Sequence, residues 1–552
     1  MSLKSFIGDR LRSLRDPHYY AKQSMFRQVE DLVRVERNRA AYEAAEWNRT
    51  NSNWVITNED VNCILKRELS RMRYRSRSLL RDNDYAVSAM NALTGYCVGT
   101  GIMQMSMIGD KVITKDDDGN PFVDIIENEE MNAAVDSNWD LSMSNCDLSA
   151  AENSPGSFTE MDELVLRKFI EDGETFVHAP ITDDNPYVPI MMEIFEPEAL
   201  DENRSGSTGG NSIVMGVELD SRTRRPVAYW IKDGTKTGHR IDAKNMFHIF
   251  KKQRPGQVRG IPAMHAVTKK MFMLNEYTNA ELLGVKIAAC MSMFIERAPG
   301  VGPDGDLMPG TGDSNAVDAN GNKITHLQPG VIGSVANGSS IHVVQPQKPG
   351  ATYGMFTEHM ERGIGAGIEG GLSFEALTRN TSKASYAGGR LATQADYQAY
   401  RKLIKFTIDK FNRPFRNRWM DVAVMSGAIV APGYDTPAFR GQKNNGRNRE
   451  YYRRHEWLPP AWQYGVNPVD DVTASQNAMR AGLSDLSIES GFLGRNWETT
   501  LRMQARIKKR AKAMGLTLTS DGSISIQNGT QDNKTDEAGD KAANESAKEE
   551  KS

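Results

Sequence analysis

The chain has 552 residues, 71 acidic against 68 basic side chains, a formal net charge of −3 and 39% hydrophobic content. At roughly 150 residues per domain it has room for three or four domains with real cores, and its lack of a basic surplus argues against a protein that clings to nucleic acid, whose affinity is dominated by phosphate neutralisation. The longest nearly apolar run, Ile287 to Ile295, is shorter than the ~20 residues of a bilayer span, and the N-terminal residues are charged where a signal peptide needs an apolar stretch, so a cytoplasmic protein with no membrane partner is expected.

In chain order, residues 20–50 show helical charge patterning (Gln28, Glu30, Asp31, Arg34, Glu36, Arg37) without a strong apolar stripe. Residues 59–95 read as a helix pair. In its first helix Arg67, Arg71 and Arg75 recur at steps of four, with Leu65, Leu69 and Met72 on the other side; this is the pattern of a solvated face or of ion pairs between subunits, with DNA contact as the alternative. Helices are expected at 131–141 and 160–171, then a strand at 175–180 with a partner in 189–195. The stretch 205–210 is flexible by composition. The runs 214–219 and 226–232, separated by a polar turn, form a hairpin, and His248, Ile249 and Phe250 read as a buried strand end. In Arg254-Pro255-Gly256-Gln257-Val258-Arg259-Gly260 two glycines are free to take positive φ. Pro262 is placed to open a helix, and about 35 residues follow with only Gly284 as a weak breaker, roughly 50 Å of helix.

From Pro299 to residue 350 Gly, Pro, Asn and Asp dominate, with short strand-like runs at 324–327, 331–332 and 341–344. This predicts a small β-rich insert between helices at 263–296 and 353–368. Residues 372–389 contain Arg379-Asn380-Thr381-Ser382-Lys383-Ala384-Ser385, which from its residues alone reads as an ordinary surface loop that hydrogen-bonds its own backbone, although its short polar side chains and two cations also suit fleeting phosphate contacts. Base reading would need a rigid element in a groove. From Gly389 a second long helix carries Ile404, Ile408, Phe411, Phe415, Trp419 and Val422 at steps of four, three, four, four and three, an apolar stripe that Pro414 should kink or split. Residues 473–514 read as helical, and from about 518 the chain is too polar to build a core.

Catalytic chemistry finds little support. Gly365-Ala366-Gly367-Ile368-Glu369-Gly370 fits GxGxxG but ends a helix instead of following a strand, and no GxxxxGK[ST] occurs. His248, His342, His359 and His455 match no zinc spacing, and His359 with Glu358 and Glu361 reads as a solvated helix face. No GxSxG stands out. No catalytic residue, metal or cofactor is therefore expected. Cys63, Cys97, Cys146 and Cys290 lack CxxC spacing and read as buried thiols, and the methionines at 264–273, 291 and 293 suit adaptable packing between subunits.

Four blocks carry a resemblance to a known family. They are RPGQVRG leading into a helix with Leu274, Glu276, Tyr277, Ala280 and Glu281; the stretch Gly363 to Arg390; Arg71, Arg73, Arg75 and Arg77 leading through Leu80-Arg81-Asp82-Asn83-Asp84-Tyr85-Ala86 to Val98-Gly99-Thr100-Gly101; and Trp462, Asn467-Pro468, Ala481-Gly482-Leu483 and Glu489-Ser490-Gly491. Together they resemble the lambda-type portal proteins of tailed bacteriophages over roughly residues 60–515. Asn467-Pro468 departs from the Asp-Pro usual there.

The resemblance implies an α+β, predominantly helical ring subunit. Its parts would be an N-terminal helical arm (1–58), wing (59–261), first stem helix (262–298), clip (299–350), second stem helix (351–371), tunnel loop (372–389), long helix and wing return (390–465), crown (466–516) and disordered tail (517–552). It implies a dodecameric homo-oligomer at one capsid vertex, with double-stranded DNA passing through the bore without sequence preference. Terminase, head-completion or tail proteins and the major capsid protein would be its partners, in the virion and, during assembly, the host cytoplasm. The implied DNA-facing residues are Arg379, Asn380, Ser382, Lys383 and Arg390 of the loop, with Lys269, Lys270 and Lys286 as stem cations. A nuclease or ATPase of the packaging machinery is the alternative class, and a scaffold-like capsid component that never touches DNA is a third.

Overall fold

The computed structural model describes His18, Met25 and residues 59–115, 121–151, 153–232, 239–290, 293–295, 332–334, 352–435, 447–460, 468–492 and 497–516. By compactness the chain divides into two units, Met1–Cys63 and Ile64–Ser552. Almost all of the first lies outside the described residues, as do most of the expected insert and the C-terminal tail.

Helix α1 (Val61–Asp82) contains no Gly or Pro and buries Leu65 and Leu69. Asn83 then ends it and caps α2 (Asp84–Cys97) by accepting from the Ala86 N–H at 3.0 Å, the usual role of Asn at a helix start. Strands β1 (Met103–Ser106), β2 (Gly109–Lys115) and β3 (Pro121–Glu127) precede α3 (Glu129–Met143). Helix α4 (Phe158–Asp172) opens with a capping box between Ser157 and Glu160 and closes on Gly173, whose φ of 85° is the left-handed conformation a helix C-terminus favours.

Strands β4 (Glu174–His178) and β5 (Glu193–Phe195) pair antiparallel. They are followed by β6 (Gly206–Thr208), β7 (Asn211–Val214), β8 (Val217–Leu219), β9 (Pro226–Ile231), β10 (His239–Asp242) and β11 (Met246–Phe250). Two sheets result, a three-stranded one in the order β11-β4-β5 and an antiparallel meander β10-β9-β8-β7-β6. The expected strand and partner at 175–180 and 189–195 are β4 and β5, and β8 with β9 is the expected hairpin. Two expectations fail here for one reason. The run 214–219 is broken because Val214 pairs with Val217 across Met215 (φ 50°) and Gly216 (φ 83°), and the supposedly flexible 205–210 holds β6 and the matching turn at Gly209 (φ 55°) and Gly210 (φ 86°). Two central residues with positive φ make the tight turn whose twist suits a hairpin.

Helix α5 (Thr268–Cys290) is shorter than expected. Pro262 does not open it: Ala263 donates to the Ile170 carbonyl at 3.1 Å and accepts from Glu369 at 3.1 Å, so its backbone is spent on tertiary contacts and residues 263–267 form turns. Short strands β12 (Met293–Ile295) and β13 (Ile332–Ser334) pair in parallel; the other strand-like runs of the insert lie outside the described residues. Helix α6 (Tyr353–Gly367) runs antiparallel to α5, with Gly367 close against Val267 at one end and Tyr277 stacked on Tyr353 at 5.8 Å at the other. The GxGxxG segment is thereby explained by packing, because a Cβ on Gly365 would lie 2.5 Å from the Leu372 carbonyl oxygen.

Helix α7 (Phe374–Thr378) is a single turn, and α8 (Tyr386–Thr407) passes through a π-helical turn at Ile408–Asn412 into α9 (Arg413–Met425). The π turn is the break foreseen at Pro414: the proline has no N–H for an α bond and its ring crowds the preceding turn, and widening the turn relieves both. Helix α10 (Arg449–Tyr452), β14 (His455–Leu458, paired with β1), and α11 (Pro468–Arg480), α12 (Leu486–Phe492) and α13 (Trp497–Ala513) complete the chain.

The stripe on α8 and α9 is core, as expected. Phe411, Phe415 and Trp419 are fully buried, and Trp139 meets Phe158 at 5.1 Å and Trp419 at 5.2 Å between ring centroids. A second core, around Phe176, Val217, Tyr229 and Ile241, lies between the two sheets. The cysteines depart from expectation in part, since Cys97 and Cys146 are buried but Cys63 is exposed, and among the methionines Met264 and Met271 fill their own subunit's core while Met273 is exposed. No described helix is long and apolar enough to cross a membrane.

Candidate channel loop and a buried charged hub

The loop implied to face DNA is pinned at its base. Ser373 caps α7 by accepting from the Ala376 N–H at 3.1 Å, and Asp396 of α8 accepts from the Ser373 N–H at 2.8 Å and from its hydroxyl at 2.6 Å. Burial pushes the Asp396 carboxyl up although the two Ser373 donors oppose it. Arg379 then takes φ 55°, the left-handed cap position that glycine usually fills. Its exposed side chain lines an open groove of about 480 Å³ with Arg81, Asp82, Asn83, Asp84, Val87, Ser88 and Asn91. Asn380 accepts from the Ser382 N–H at 3.0 Å and its hydroxyl at 2.6 Å, an Asx turn, and Ser385 caps α8.

Not all the candidate cations are uncommitted. Lys383 reaches Glu358 of α6 at 2.7 Å, a carboxylate that also accepts from Arg362 at 2.9 Å. Arg390 pairs with Asp471 of α11. The helix face around His359 is therefore more occupied than expected, since Glu361 too accepts from the Tyr85 hydroxyl at 2.6 Å. Among the stem cations Lys269 and Lys286 are exposed and Lys270 is half-buried against Gly363. At about 100° per residue their spacing turns the three to different sides of α5.

A second constellation escaped the sequence reading. Glu174, the first residue of β4 and fully buried, is held by Arg73 of α1 and by Arg259, whose Nε donates at 2.8 Å. His248 Nε2 lies 2.9 Å from its other oxygen, which also accepts from the Gly260 N–H at 2.8 Å. Both guanidinium groups also bind Glu202, and Arg259 donates to the Met215 carbonyl at 3.0 Å. Burial alone would raise the Glu174 carboxyl, but Arg259 and Arg73, helped by His248, hold it far below the usual carboxylate range. Burial depresses His248 against the opposing pull of Glu174. Alongside, Arg77 bridges Asp172 at 2.7 Å and Glu198 at 2.7 Å. The geometry depends on glycine: a Cβ on Gly260 would lie 2.1 Å from the Gly173 carbonyl oxygen, so close backbone approach, and not positive φ, is what that position of RPGQVRG requires. Positive φ is found at Gly256, at 77°.

On α1 the side chains of Arg67, Arg71 and Arg75 are exposed. A signal for the hub was available: Arg73 continues the step of four from Leu65 and Leu69, placing an arginine on a buried stripe. Its partners, far away in sequence, were not readable. Among the described residues no group of three or more His, Cys, Asp or Glu side chains is placed to hold a metal ion.

A family model described as "Phage portal protein, lambda family" matches residues 48–403. So wide a match places the protein in a class: the chain belongs to the lambda family of phage portal proteins, a family of structural, non-enzymatic components. Its relatives bear the same word in their names. A "Probable portal protein" of Halomonas phage phiHAP-1 is 22% identical over 490 residues, covering 86% of this chain and 87% of the relative. "Portal protein B" of Escherichia phage lambda is 19% identical over 523 residues, covering 89% and 93%. Among solved structures, a chain from the virion of a native gene transfer agent particle superposes with a TM-score of 0.39 and 14% identity, over 76% of this chain and 93% of that one.

Proposed function

We propose that copies of this chain close into a ring, dodecameric as the family resemblance implies, at one capsid vertex, and that genomic DNA enters and leaves through its centre. In this reading residues 59–261 form the wing, α5 and α6 the stem carrying the 299–350 clip, and α11 to α13 the crown. Terminase and then head-tail connector proteins dock at the clip, and the loop at 379–385 meets the duplex. The subunit is made and assembled in the host cytoplasm. The observation that supports a ring is the outer surface of the antiparallel pair: Phe272, Met273, Leu282 and Leu283 of α5 and Met355 and Phe356 of α6 are all exposed. A row of large apolar side chains left in water marks a protein interface, and repetition of one interface around an axis closes a ring.

Electron microscopy of the purified protein viewed down its axis tests this. A ring with a central hole wide enough for duplex DNA is the expected image; a compact monomer at all concentrations would overturn the reading. DNA retention in filled heads tests the loop, and an Arg379→Gly/Lys383→Gln variant that packages and retains DNA normally removes the loop from the channel.

A further inference from the structure

Helix α13 is the most one-sided charged element outside the loop. Its sequence, WETTLRMQARIKKRAKA, holds Arg502, Arg506, Lys508, Lys509, Arg510 and Lys512 against the single acid Glu498, in a chain whose formal net charge is −3. At about 100° per residue the six cations cover one broad side of the helix, while Met503, Ile507 and Ala511 fall on the other. Ala511 is buried, and Lys508, Lys509, Arg510 and Lys512 are exposed.

Two acids on neighbouring elements are already engaged. Glu129, at the start of α3, accepts from Lys509 at 2.7 Å, and that hydrogen bond, with the nearby charges of Lys509, Arg506 and Arg510, holds its carboxyl low. Both partners are well exposed, so water and salt screen the pair and a competing phosphate can take the lysine. On the neighbouring α12, Glu489 is engaged by the Ser484 hydroxyl at 2.6 Å.

We infer that the basic side of α13 is a second contact surface for duplex DNA, binding the sugar-phosphate backbone without reading sequence. This rests on the DNA-conduit reading above and adds a surface to it. From Arg502 to Lys512 the helix advances roughly 15 Å, over which one strand of a duplex presents about four phosphates. Charge density favours DNA over the chain's own acidic stretch, where residues 517–552 carry eight carboxylates and four lysines: duplex DNA offers one charge per ~1.7 Å of axis. The arginines supply fork-shaped donors suited to phosphate.

The test compares DNA binding by the assembled wild-type protein, an Arg510→Gln/Lys512→Gln variant and the Arg379→Gly/Lys383→Gln variant, as log K against log salt with duplexes of unrelated sequence. The α13 variant should bind several-fold more weakly near physiological salt and show a slope shallower by at least ~0.9, the value of one lost phosphate contact. Assembly and melting temperature should stay unchanged, because both side chains are exposed. A wild-type slope in that variant overturns the inference while leaving the conduit reading intact if the loop variant alone is impaired. Failure of the wild-type protein to bind any duplex sinks both. Binding of a synthetic 517–552 peptide as tightly as an equally long duplex would make α13 a site for acidic polypeptide and overturn it too.

Discussion

Arg73, Glu174 and Arg259 are each inside the protein, and each is tolerable there only because of the other two. Replacing either arginine by Met would leave Glu174 half-neutralised in a dry environment, and stability to chemical denaturation should fall by about 3–5 kcal/mol. Because the folded carboxyl is depressed, its contribution is present above the unfolded value near pH 4.3 and is lost only as pH falls through the folded value in strong acid. Asp162 behaves in the opposite sense. It is 1% exposed, accepts from Asn412 Nδ2 at 3.0 Å, and burial pushes its carboxyl up to about 7 against that hydrogen bond. Asp162 Oδ1 and Asn412 Oδ1 are both buried without a hydrogen bond, which suits a neutral acid better than a carboxylate. A raised folded value means that the protein loses stability as pH climbs from about 4 to about 7. Asp162→Asn should therefore change melting little at pH 4 and stabilise by on the order of 2–4 kcal/mol at pH 8; equal effects at the two pH values would refute the neutral assignment.

At the scale of elements, what the sequence disclosed was local and what it hid was tertiary. The capping box at Ser157, the strand ending in His248-Ile249-Phe250 and the stripe from Ile404 to Val422 all depend on neighbours within a few residues, so they could be read. Pro414 announced a break, though nothing local said that the turn would widen into a π form. The start of α5 was misplaced because the bonds that hold residue 263 come from Ile170 and Glu369, and the partners of the loop cations were not legible because Glu358 and Asp471 are remote from them. Glycine composition misled at 205–210, where it specifies a tight turn. Two glycines now separate packing from propensity. Gly260→Ala would drive a Cβ into backbone at 2.1 Å and should cost at least about 3 kcal/mol, in the range of severe backbone strain. At Gly363, inside α6, the nearest atom to a Cβ is the movable Lys270 Nζ at 2.8 Å, so Gly363→Ala should stabilise by up to ~1 kcal/mol through helix propensity. Thermal melts of the two variants should move in opposite directions.

For the whole molecule, the described surface argues for company. Leu282 and Leu283 are more than half exposed on α5, and Val469, Leu483 and Met514 are still more open in the C-terminal helices. On the ring proposed above, Leu282→Glu with Leu283→Glu should leave the far-ultraviolet circular dichroism of the subunit intact and remove large assemblies from light scattering. A variant that still assembles would move the interface elsewhere. Of the motifs that carried the resemblance, RPGQVRG supplies Arg259 and Gly260 to the hub and the arginine run of α1 supplies Arg73, so short stretches that look ordinary alone meet at one buried carboxylate.

The order in which the hub's members are translated has its own consequence. Arg73 is made early, Glu174 and Glu202 later and Arg259 last, so on the ribosome the first arginine must wait in solvent until residue 259 has emerged before its carboxylates are fully balanced. A nascent chain halted upstream of Arg259 holds an acid with one guanidinium missing, so the hub can close only after residue 259 has left the tunnel.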